Sequence, residues 1–135
     1  MIRTKGVYHI GIPVDNMDRA VKFYTEVLGM KLFKTGKDDM GKILARTELR
    51  SGDDIVVLFE RPRPAEKHAI EEDGATHQAF EVNREDFELA AQNMKEWGVK
   101  LHVTQRVDRG RGSGLYFFDT EGNLLQLYAP PAESS

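Results

Sequence analysis

Along this chain, apolar and polar positions alternate, switch to helical spacing, and alternate again, and the whole sequence of changes occurs twice. HIGIPV (9–14) and HQAFEV (77–82) have the period of half-buried strands. A helical stripe follows each. In the first copy Ala20, Val21, Tyr24, Val27 and Leu28 recur at helical spacing, with Asp15 or Asn16 as N-cap. In the second, Phe87, Ala90, Ala91 and Met94 form the stripe behind Asn83. Gly29 and Gly98 stand where a helix ends most cheaply, because glycine takes the left-handed conformation without a Cβ penalty. Strands resume at MKLFKT and VKLHVT.

These segments are an internal repeat. His9 aligns with His77 and Val14 with Val82, a shift of 68 residues. After one inserted residue, Gly29 aligns with Gly98 and Lys31-Leu32 with Lys100-Leu101. DIVVLFE (54–60) aligns with GNLLQLYA (122–129) at the same shift of 69, so Ile55 matches Leu124, Val57 matches Gln126 and Leu58 matches Leu127. Each half therefore reads strand, helix, three strands. The first is expected at about 6–14, 16–28, 30–35, 42–50 and 54–60, the second at about 75–82, 84–97, 99–106, 113–119 and 123–129. The expected class is α+β, in one domain of 135 residues with module 1 at about 1–60, a linker at 61–74 and module 2 at about 75–130.

Composition narrows the chemistry. The chain has no cysteine, which excludes disulfides, zinc–thiolate sites and thiol nucleophiles, and fits a cytoplasmic location. Nineteen Lys and Arg against 22 Asp and Glu leave a net charge of −3, against nucleic acid as partner. No apolar stretch is long enough for a membrane span, and the opening MIRTKGVYHI does not read as a signal peptide. The tail PPAESS and the middle segment RPRPAEKHAIEEDGA have the composition of disordered chain.

Duplication creates four equivalent positions, 9, 57, 77 and 126, holding His, Val, His and Gln. If the sheets face one another, His9, His77 and Gln126 can converge. Two imidazoles and one oxygen donor suit a divalent first-row metal (iron, manganese, nickel or zinc) with open positions for substrate. The competing reading has each imidazole bonded to a backbone carbonyl. His68, in the linker, and His102, in an alternating strand, lack a matched partner and are set aside.

Further candidates come singly. Arg109 and Arg111 lie among three glycines in DRGRGSG (108–114), a loop able to wrap an anionic group or simply to connect a hairpin. It lacks the Gly-Lys-Ser/Thr ending of a Walker motif. Tyr116 follows as a substrate contact or a half-buried strand aromatic. Glu48 is a general base if it points into a pocket, and otherwise an exposed edge-strand carboxylate. Glu81 shares a strand face with His77, as a support for it or as a solvated residue. Glu71, Glu72 and Asp73 read as solvated linker.

Three stretches, YHIGIPVDNMDRAVKFYTEVLGMKL, GATHQAFEV and GLYFFDTEGNLLQLYAP, resemble in order and spacing the vicinal oxygen chelate superfamily of glyoxalase I, bleomycin-resistance proteins, extradiol dioxygenases and fosfomycin-inactivating enzymes. The resemblance implies paired βαβββ modules with curved mixed sheets around a pocket, a homodimer, and metal ligands at His9, His77 and Gln126. It also implies that a tyrosine like Tyr116 meets substrate in the fosfomycin enzymes. Glyoxalase I has a fourth ligand where this chain has Val57, which disfavours that activity. The dioxygenases and fosfomycin enzymes have glutamate where this chain has Gln126.

Two functional expectations follow. One is a metal-dependent enzyme whose small-molecule substrate chelates through two neighbouring oxygens, with isomerase, lyase, epoxide-opening or dioxygenase chemistry. The alternative is a metal-free antibiotic- or metabolite-binding protein of the bleomycin-resistance type. A structural dimer with no ligand is the third possibility.

Overall fold

In the computed structural model the described residues are 1–37, 45–61, 77–108 and 112–131, with 37 and 102–108 as backbone only. The chain forms two compact units, Met1–Ala65 and Glu66–Ser135.

The first unit runs β1 (Ile10–Val14), α1 (Met17–Lys22), β2 (Lys31–Lys37), β3 (Ala45–Ser51) and β4 (Asp54–Glu60). Its sheet order is β1-β4-β3-β2. β1 and β4 are parallel; the other neighbours are antiparallel. Asn16 begins α1 as expected: its side chain accepts the Arg19 N–H at 3.0 Å. The helix then widens into a π turn at Phe23–Val27, where the Leu28 N–H reaches back five residues to the Phe23 carbonyl. That widening lets neighbouring Phe23 and Tyr24 both bury against the sheet, with Ala20, Ile12, Val14, Leu49, Val56 and Leu58. Fully burying a side chain of this size contributes about 1.5–3 kcal/mol.

The second unit repeats the plan: β5 (Gln78–Glu81), α2 (Arg84–Asn93), β6 (Lys100–Asp108), β7 (Ser113–Phe118) and β8 (Leu124–Ala129), in the order β5-β8-β7-β6. Phe87 and Met94 of the helical segment are buried, as are Phe80, Leu115, Phe117, Leu125 and Leu127 of the sheet. Regular helix stops at Asn93 rather than at 97. Gly98, at φ +74°, closes the turn, with Val99 N–H on the Met94 carbonyl and Gly98 N–H on the Lys95 carbonyl.

The fold class is the expected α+β class, with two four-stranded mixed sheets. The registers also match across the repeat. Gly11 lies beside Val57 as Ala79 lies beside Gln126. Both opening strands start later than expected: β1 opens at Ile10 and β5 at Gln78, so His9 and His77 each stand one residue before a strand. Both are exposed.

Candidate functional site

In the second unit the site is built from the central strand outward. Gln126 sits in β8 between Ala79 of β5 and Tyr116 of β7. Directly paired residues share a face, so Ala79, Gln126 and Tyr116 point one way. The opposite face carries Phe80, Leu127 and Leu115, all buried. His77 is two residues before Ala79 and joins the Gln126 face by the strand period. Its ring stands edge-on to Tyr116, with centroids 5.7 Å apart and planes at 69°. An imidazole, a phenol and a half-buried amide thus share one surface patch. Glu81 is exposed on the same face.

The equivalent row of the first unit is Gly11, Val57, Glu48 and Lys34, one residue from each strand. His9 precedes Gly11 by two residues and is edge-on to Tyr8 at 5.6 Å. Val57 is fully buried and offers no donor atom. Glu48 occupies in this unit the place Tyr116 holds in the other. The reading of Glu48 as an exposed edge-strand carboxylate is corrected. β3 is an interior strand, its side chain keeps 14% exposure, and a carboxylate oxygen lies 3.4 Å from Arg50 Nη2. Tyr116 is half-buried in β7. Arg109 and Arg111 lie outside the described residues, as do His68 and Glu71 to Asp73, while His102 is described only as backbone in β6.

Sequence reading missed Arg46 and Arg50. They flank Glu48 at the strand period, in the run ARTELRS, and that spacing is the signal that would have found them. Arg46 lies over the Phe59 ring at 5.1 Å and Arg50 over the Phe33 ring at 4.3 Å. On the α1 side of this sheet there is also a cavity of about 610 Å³, lined by Asp15, Asp18, Val21, Leu32, Thr35 and Glu60 among others. Arg46 and Thr47 also line it, whereas His9 and Glu48 do not.

Residues 6–127 match the family model of the glyoxalase/bleomycin resistance protein/dioxygenase superfamily. The chain belongs to that superfamily. Its resemblance to vicinal oxygen chelate proteins is thereby confirmed. It is 28% identical over 123 residues to the glutathione transferase FosA of Serratia marcescens, covering 89% of this chain and 77% of that one. Among solved structures it is similar to a variant of the fosfomycin resistance protein FosX from Listeria monocytogenes, complexed with Mn(II) and 1S,2S-dihydroxypropylphosphonic acid. The TM-score is 0.76 at 17% identity, with 96% of each chain covered. A glyoxylase/bleomycin resistance protein/dioxygenase domain from Frankia sp. EAN1pec gives a TM-score of 0.79 at 21% identity, covering 98% and 96%. Among the described residues, no helix is long and apolar enough to cross a membrane.

Proposed function

We propose that this protein is a metal-dependent enzyme acting on a small oxygenated substrate, with His9, His77 and Gln126 as the ligands of a divalent first-row ion. The reading is carried by one observation: His77, Tyr116 and Gln126 share a face of one sheet, and His9 stands at the equivalent place in the other unit. The donor set fits such an ion, since two imidazole nitrogens and an amide oxygen suit iron, manganese, nickel or zinc and leave positions open. The Mn(II) in the FosX structure makes manganese the first ion to try. When bound, the ion supplies Lewis-acid polarisation of the substrate oxygens. Tyr116 donates its hydroxyl hydrogen to a substrate oxygen beside His77. Glu48 accepts the proton of the attacking nucleophile, and Arg50 orients its carboxylate. Epoxide opening is the reaction class that the Fos relatives favour. We further propose that Arg109 and Arg111 contact the substrate, that both units form one domain, and that the protein is a cytoplasmic homodimer.

Gln126 favours the second reading, a metal-free binding protein of the bleomycin-resistance type, because its amide brings no negative charge to a cation. Metal content per chain decides between them, measured on untagged protein beside His77→Ala. Near-stoichiometric metal in the parent, lost in the variant, is the expected result. Absence of metal from both, with no uptake on titration, sinks the enzyme reading.

A further inference from the structure

The face of the first sheet turned away from α1 carries charge in an order that the metal ligands do not explain. Along β3 it presents Arg46, Glu48 and Arg50. Lys34 of β2 lies directly across from Glu48, and Lys31 directly across from Arg50. Four cations and one carboxylate therefore share this face, in a chain whose net charge is −3. Glu48 can neutralise only one of them, and its 3.4 Å approach to Arg50 is long for a charge-assisted bond.

Both arginines are held in a particular way. Phe59 lies over Gly11, where a Cβ would come within 3.2 Å of the ring, and the open backbone gives Phe59 room to sit flat. Arg46 stacks on that ring. Arg50 stacks on Phe33, which is itself 58% exposed. An aromatic neighbour fixes the plane of a guanidinium, whose in-plane N–H edge matches the two oxygens of a carboxylate or phosphonate; Arg50 turns one N–H of that edge to Glu48 at 3.4 Å. Among the described residues no carboxylate pairs with Arg46. Arg50 also lies toward the His9 end of the face. It pairs with Ile55, and Ile55 is the residue that β1 would place beside His9 if the ladder ran one residue further. Two strand spacings, roughly 10 Å, separate such positions.

We propose that this face is an anion-binding surface on which Arg46 and Arg50 take a small organic dianion bearing carboxylate or phosphonate groups. As an account of the enzyme's substrate, this rests on the reading above; as a binding site, it stands without the metal. The test uses full-length, metal-stripped protein, with malonate and phosphonoacetate as probes and neutral malonamide as control, by calorimetry. Both dianions bind, malonamide does not, and added salt weakens the binding. Arg46→Gln and Arg50→Gln each raise Kd by roughly tenfold or more; Arg46→Lys, which keeps the charge and loses the fork, falls between. His77→Ala leaves Kd unchanged. Circular dichroism and melting curves confirm that the variants fold. Failure of the metal-free protein to bind either dianion, or unchanged Kd in both glutamine variants, overturns the proposal. Dianion binding that needs metal and ignores both arginines also overturns it, while leaving the metal site standing. Arginine-dependent binding in a protein that never takes up metal supports the proposal and removes the metal reading instead.

Discussion

Gln126 is the residue that separates the two proposed functions. It occupies the centre of β8, flanked by Ala79 and Tyr116, where the strand scaffold holds a side chain firmly. Its carbonyl oxygen can ligate, but in the proposed site two imidazoles and an amide would bring no negative charge to the ion. Gln126→Glu is therefore expected to tighten metal binding by about tenfold or more, because a carboxylate replaces a neutral donor in partly buried surroundings. Competition against a chelating dye measures this, and an unchanged affinity would remove Gln126 from the ligand set. The place of this residue was legible from the repeat, since 57 and 126 are equivalent positions. The orientation of Glu48 was not: strand period says which residues share a face with it, but not that β3 lies inside the sheet.

At the level of elements, the two helices start from asparagines that do different work. Asn16 caps α1 with a 3.0 Å bond to the Arg19 N–H, whereas Asn83 heads α2 with no side-chain cap bond. Asn16→Ala should cost about 1 kcal/mol and Asn83→Ala no more than a few tenths. Urea melts of the two variants check this, and equal losses would contradict the difference in capping. Both asparagines were visible as caps in the sequence, because residue type and position suffice for that. Which one closes a bond depends on a backbone angle that sequence does not specify. The π turn at Phe23–Val27 was hidden for a similar reason. Helical spacing placed Tyr24 in the stripe but left out Phe23, which the wider turn carries into the core.

For the whole molecule, the repeated sheet order is the main fact: β1-β4-β3-β2 and β5-β8-β7-β6 are the same path drawn twice. The first unit leaves apolar surface beside an outer strand. Ile2, Val7 and Tyr8, ahead of β1, are 92%, 84% and 81% exposed. Exposed apolar residues grouped in this way favour association, which supports the proposed homodimer. Sedimentation velocity should give twice the mass of one chain at micromolar concentration. A single-chain mass across that range would contradict the homodimer.

Read alone, the sequence determined the duplication, the order of strands and helices, the closing glycines and the equivalence of His9 with His77. Each of these depends on periodicity or on a residue type with one conformational use, and both are local properties. Tertiary structure alone decided that both histidines precede their strands, that Glu48 is half-buried in an interior strand, and that Arg46 and Arg50 stack on Phe59 and Phe33. Those outcomes depend on cross-strand register and on which face the helix covers, and packing between distant segments sets both.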